Sequence, residues 1–250
     1  MGKSDVLRKY HFVTSCWQKS THINNGYLLF RWLISTYTVT SLAISIVSYD
    51  TWLYFIYLTH WSYILIVLQS LLGSYLITAR FLQQDSYDRE SIQLSELEWG
   101  YGVLFTMALA QAPGISLLYW FLEDRPVEIT WVSHMEHTFN SVVMLIEFLL
   151  NGAPLQASYF YWTFLFNGVY IAFSVVYHWM GGINMNGQAY IYRLLDWHHV
   201  NTALIMCCMA LSMFLVLHFT AAFLSKVKFW LCNKLVPKRL LTLPNKVTLV

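Results

Sequence analysis

The stretch that decides the architecture runs from Val200 to Leu224, VNTALIMCCMALSMFLVLHFTAAFL, and holds no Asp, Glu, Lys or Arg. About 20 mainly apolar residues in a helix cross the hydrocarbon core of a bilayer, so this run is long enough to span. In lipid every backbone amide needs an internal partner, and a run without a barrel's alternating pattern must meet that need as a helix. Working outward, five more segments share this character: Tyr27 to Ser48, Trp52 to Ile77, Trp99 to Leu122, Val127 to Leu150 and Tyr159 to Trp179. The expected fold is all-α, a polytopic membrane protein built as a single bundle of six transmembrane helices.

Composition agrees. The chain has 250 residues, 57% hydrophobic and only 11% charged, whereas a soluble domain carries about 25% charged residues. Aromatics reach 18%, with 11 Trp and 17 Tyr, as expected where rings line both bilayer interfaces. A net charge of +2 argues against nucleic acid as a partner. The cysteines Cys16, Cys207, Cys208 and Cys232 show no CxxC spacing. Cys207 and Cys208 read as packing residues, and Cys16 and Cys232 as candidates for acylation.

Lys and Arg set the orientation. Lys3, Arg8, Lys9 and Lys19 precede the first span, and Lys226, Lys228, Lys234, Lys238, Arg239 and Lys246 follow the last. An even number of spans puts both basic ends on one side, which is then the cytosol. The expected organisation is a cytosolic N-terminal segment (1–26), too polar for a signal peptide, a transmembrane domain (27–225) and a basic cytosolic tail (226–250). The loop from Arg80 to Glu98 is cytosolic, with room for a short surface helix. Arg125, Arg193 and the loop from Gly181 to His199 face outward. The membrane is the plasma membrane or the endoplasmic reticulum.

One span is polar where lipid would forbid it. In WVSHMEHTFNSVVMLIE, Trp131 to Glu147, the residues His134, His137, Ser141, Met144 and Phe148 repeat at three and four and share a helix face. Glu136, Asn140, Val143 and Glu147 form the neighbouring stripe. Two adjacent polar stripes cannot both face lipid, and titratable groups within a span mark function by default. Glu147 lies near the cytosolic end, within reach of water. The second span places Thr59, Tyr63, Ile66, Ser70 and Gly73 on one face, the small and polar kind that meets other helices. Counting 1.5 Å per residue from the outer ends puts Thr59 roughly 10 Å deep, His134 about 10 Å and His137 roughly 15 Å. The depths allow a Thr–His pair in the outer half of the membrane. The alternative for Thr59 is a hydroxyl bonded to the carbonyl of its own preceding turn.

YLTHWSYILIVLQ and WVSHMEHTFNSVVMLIE resemble the two motif regions of the androgen-induced protein family, six-span membrane hydrolases. Thr59 and Gln69 occupy the places of the first motif, and Trp131, His134 and His137 those of the second. Within that superfamily HTFNSVVMLIE and GGINMNGQAYIYRLLDW look most like the rolling stone branch, which is linked to myoblast fusion. The resemblance covers about Tyr27 to Val200. It implies hydrolysis of fatty acid esters of hydroxy fatty acids, with Thr59 as nucleophile and His137 as essential base. One departure stands out: Met135 and Glu136 lie between the histidines where the hydrolases carry Gly-Met.

The implied chemistry is acyl transfer to a threonine hydroxyl activated by a base, with His134 or Asn140 orienting that base or stabilising the oxyanion, and Ser141 and Asp196 as further supporting groups. The partners are then membrane lipids and an ester arriving laterally from the bilayer, and no cofactor or metal is required. Asp196 would meet the histidines of span four if the outer loop closes as a lid; the alternative is an interfacial loop anchored by Trp179, Tyr190, Tyr192 and Trp197. Two other classes compete. One is a His-ligated metal or haem protein, using His134, His137, His178 and Asp196, or His60 facing His137. The other is a non-enzymatic protein of cell fusion or adhesion, which short outward loops would hinder from gripping a partner.

Overall fold

A computed structural model describes residues 13–19, 22–83, 95–121 and 130–236. The chain is helical, and the one ladder contact among these residues is an isolated antiparallel bridge between Ser15 and Asn151. The helices are α1 (Asn25–Tyr49), α2 (Leu58–Gln83), α3 (Ser95–Phe121), α4 (Trp131–His134), α5 (Asn140–Leu150), α6 (Phe160–Trp179) and α7 (Val200–Leu235). A π-helical turn, Met135–Phe139, joins α4 to α5. A 3₁₀ segment, Trp52–Ile56, precedes α2.

Five helices are long and apolar enough to cross a membrane: α1, α2, α3, α6 and α7. The fourth expected span, Val127 to Leu150, is a rod of three pieces. Its helical part starts at Trp131, and the π turn divides it, so neither α4 nor α5 alone has the length. The expected ends at Leu122 and Val127 lie outside the described residues, as do most of residues 1–26, the loop 84–94, Arg125 and the tail beyond Val236.

Each helix is built to fit a bilayer rather than water. On α1 the buried residues are Tyr27, Arg31, Ser35, Thr38, Ser41 and Ser45, while Leu29, Leu33, Ile44 and Val47 are exposed. The polar stripe meets α2, where Ser35 Oγ donates to the Ser70 carbonyl (2.8 Å) and Thr38 and Ser70 share a hydroxyl bond of 2.8 Å. Small and hydroxyl-bearing residues let helix backbones approach where hydrophobicity gives no contrast with lipid. The face read for α2 is buried in full: Thr59, Tyr63, Ile66 and Ser70 are all covered.

Helix α3 is the hub, packing against α2, α5, α6, α7 and the π turn. Gly114 makes its contact with α7 possible, since a Cβ there would stand 2.3 Å from the Phe214 ring. Helix α7 continues beyond Leu224 to Leu235. Buried Lys228 on it donates to the carbonyls of Phe148 (2.6 Å) and Asn151 (2.7 Å), where a cation offsets the partial negative charge of a helix C-terminus. Next to this anchor the segment around Cys16 lies on Leu150 and Gly152 through backbone bonds. Cys16 and Cys232 are buried, so neither thiol is open to acylation as the sequence suggested. Cys208 is the exposed one, and Cys207 is buried as expected.

Candidate active site

The site grows from the π turn. Thr130 caps α4 by accepting from the Ser133 amide at 3.2 Å. One turn on, the backbone widens and its carbonyls are met by side chains. Asn140 Nδ2 donates to the Glu136 carbonyl at 2.7 Å, and Ser116 Oγ on α3 donates to the His137 carbonyl. Single π turns of this kind recur at functional sites.

Within the turn Glu136 is 1% exposed and His137 6%. The Glu136 carboxylate accepts from Ser45 Oγ and, at 3.2 Å, from Tyr49 Oη, both on α1. His60 Nε2 on α2 lies 3.3 Å from Oε1, and His137 Nε2 lies 3.8 Å from Oε2. The His60 ring is stacked on Tyr54 at 3.5 Å, and the His137 ring on Tyr119 at 3.6 Å. Both imidazoles are thereby held in plane. His60 Nδ1 bonds the Tyr54 carbonyl, while His137 Nδ1 is buried without a hydrogen-bond partner among the described residues.

These groups open onto a cavity of about 470 Å³ lined by Thr59, His60, Tyr119, Glu136 and His137 and roofed by Asn184–Arg193 of the loop between α6 and α7. That roof is built, not slack. Asn184 accepts from the amides of Asn186 (2.9 Å) and Gln188 (3.0 Å), Gly187 turns at φ +75°, and Met185 N reaches Tyr57 Oη at 3.3 Å. A second, apolar pocket of about 120 Å³ lies between α3, α6 and α7, lined by Ile115, Leu118, Ile171, Met206 and Phe214 among others. Thr59, Tyr119 and Tyr192 line both. The Thr59 hydroxyl forms no hydrogen bond among the described residues, so the bond to its own helix considered from sequence is not made.

A family described as Protein rolling stone matches this chain over residues 5–236. The chain belongs to the rolling stone family. Protein rolling stone of Drosophila melanogaster is 29% identical over 212 residues, 79% of this chain and 76% of the relative. No solved structure matches.

In this rolling stone family member Thr59 and His137 line one cavity. The supporting residues named from sequence lie elsewhere. His134 is half-buried among Trp120, Trp131 and Phe139 and lines neither pocket. The Asn140 amide is spent on the carbonyl freed by the π turn, and Ser141 bonds Ser116 at 2.6 Å. Asp196 does not reach the histidines of span four. It accepts from the His198 amide and ring at 3.0 and 2.9 Å, capping the short turn Trp197–His199. Partial burial raises the Asp196 carboxyl, but these bonds outweigh it and hold it below its usual range. The expected metal set of His134, His137, His178 and Asp196 is not assembled. Among the described residues His178, Asp196 and His198 are the ones brought within 4.8 Å of one another. His60 has both ring nitrogens engaged and offers none to a haem iron.

The sequence reading left Glu136, His60, Tyr49 and Tyr119 out of the site. Glu136 carried a signal, as a carboxylate where the hydrolases have an apolar residue. Its pairing with His60 joins α2 to the π turn, and no local pattern contains it.

Proposed function

We propose that this protein is an intramembrane hydrolase of lipid esters, with Thr59 as nucleophile and His137 as base. The reading is supported above all by the place of Thr59, on the border between a polar cavity that holds His137 and an apolar pocket between α3, α6 and α7. An ester of a fatty acid and a hydroxy fatty acid is itself amphipathic, and its carbonyl would sit at such a border with an acyl chain in the apolar arm. His137 would take the Thr59 hydroxyl proton as Oγ attacks the carbonyl carbon. Collapse of the tetrahedral intermediate would expel the hydroxy-lipid, protonated by His137, and leave an acyl-threonine. Water, deprotonated by the same imidazole, would release the fatty acid and regenerate Thr59.

The same reading takes the α4–π–α5 rod as a sixth crossing. Its 20 residues, Trp131 to Leu150, rise roughly 30 Å, the thickness of the hydrocarbon. Both termini then lie on the cytosolic side, of the plasma membrane or the endoplasmic reticulum, and the Asn184–Arg193 roof faces outward.

A fluorophosphonate probe applied to the purified protein tests the chemistry. Wild type becomes covalently labelled at Thr59, and Thr59→Ala and His137→Ala do not. Equal labelling of all three removes the assignment.

A further inference from the structure

Among the described residues the buried carboxylate of Glu136 is met by no lysine or arginine. Its neighbours are hydroxyls from α1, the imidazole of His60 on α2, and the imidazole of His137 one residue along its own turn. A buried carboxylate needs either a proton or a cation beside it. The bonding decides who supplies it. The Tyr54 carbonyl can only accept, so His60 Nδ1 carries hydrogen. His60 Nε2 then faces Glu136 Oε1 either as a second N–H of an imidazolium or as the acceptor of a carboxyl proton. In both forms His60 and Glu136 together hold one shared proton and no net charge.

The second carboxylate oxygen, Oε2, points at His137 Nε2 across 3.8 Å. Catalytic contacts of this length commonly tighten only when substrate binds. With Nε2–H directed at Glu136, the basic nitrogen of His137 is Nδ1, the buried atom that has no hydrogen-bond partner among the described residues.

We infer that Glu136, backed by His60, positions His137 as the base, so that the Thr–His pair is in this chain a four-membered series: Thr59, His137, Glu136, His60. The inference rests on the hydrolase reading above. Glu136 and His60 are positioning residues. Glu136 fixes the tautomer and plane of His137 and stabilises the imidazolium formed when Nδ1 takes the Thr59 proton, while His60 keeps the carboxylate in place and its charge compensated. Ser45 Oγ donates to the oxygen that faces His60, and Tyr49 Oη to the one that faces His137. A base held this way needs no amide or serine from its own helix, which fits the commitment of Asn140 and Ser141 to other partners.

The test uses the full chain in lipid vesicles with a fluorogenic acyl ester, and measures kcat and KM. Glu136→Gln is expected to lower kcat at least about 100-fold with KM little changed, by analogy with the roughly 10,000-fold loss when an orienting aspartate becomes asparagine in a serine triad. Glu136→Asp should recover a substantial part, which a space-filling role for the side chain would not require. His60→Asn keeps a donor for the Tyr54 carbonyl and should lower kcat by about 10-fold. If Thr59-dependent turnover persists undiminished in Glu136→Gln, the inference fails while the hydrolase reading stands. If Glu136→Gln does not elute as a folded protein, His60→Asn decides, and undiminished kcat there overturns the series. If wild type and Thr59→Ala turn over equally, both readings fall.

Discussion

One rod carries two buried carboxylates, Glu136 in the π turn and Glu147 near its other end, and their surroundings differ in kind. Glu147 is fully buried and is met by the Arg31 guanidinium of α1, by Gln69 Nε2 of α2 at 2.5 Å and by Tyr101 Oη of α3 at 3.3 Å. Its charge is balanced by a group that cannot give up its proton, and it lines neither pocket. Glu136 is balanced by imidazoles, which can, and it borders a cavity of about 470 Å³. The difference teaches that burial alone does not mark a functional carboxylate. What marks it is a partner able to exchange a proton and a space for something to arrive. By that measure Glu147 joins three helices, and Glu136 belongs to the chemistry.

The comparison can be broken most directly at Arg31. Arg31→Met leaves the Glu147 charge buried and uncompensated, and should cost about 3–5 kcal/mol in an unfolding measurement in detergent. Adding Glu147→Met should recover most of that loss. If the single variant is as stable as wild type, Glu147 is not held as described. A smaller effect is expected at Gly73, where a Cβ would stand 1.6 Å from Arg31 Nη2 and 2.8 Å from the Tyr101 ring. Gly73→Ala must shift the guanidinium, and about 1–3 kcal/mol of destabilisation is expected, typical of overpacking. Turnover by the fraction that folds should be unchanged, because the site around Glu136 is separate.

The smallest effect sharpens the contrast by removing burial. Asp196 lies in the loop between α6 and α7, where the hydrogen bonds from His198 hold its carboxyl below the ordinary 3.8. A depressed carboxyl contributes stability that is fully present above that ordinary value and is lost as pH falls through the lower folded one. Asp196→Asn should therefore remove a slight acid-side dependence of loop protection, measured by hydrogen exchange at Trp197 to His199, and leave neutral behaviour alone.

Much of the fold was legible because membrane helices obey simple periodicity. The stripe of Thr59, Tyr63, Ile66, Ser70 and Gly73 is buried as its spacing requires, and in the fourth rod Glu136, His137, Asn140, Met144, Glu147 and Phe148 are buried while His134, Ser141 and Val143 are half-buried. The placing of Glu147 near water was not correct, because depth along one helix says nothing of an arginine arriving from another. The π turn was hidden for a similar reason. The letters Met135-Glu-His-Thr-Phe139 fit an α-helix equally well, and the widened turn is visible only through Ser116 and Asn140, which satisfy its carbonyls. The depth counted for Thr59 took its helix to begin at Trp52, whereas Trp52–Ile56 is a separate 3₁₀ segment and α2 begins at Leu58, one residue before Thr59. The pairing of His60 with Glu136 is a contact between separate helices and has no trace in either segment.

Helix α7 has 36 residues, a length of roughly 54 Å against about 30 Å of hydrocarbon. The helix is longer than that span, and its far part is tied into the bundle where Lys228 grips the carbonyls of Phe148 and Asn151. The last turns of the helix, Phe229 to Leu235, therefore take their bearing from those same two carbonyls.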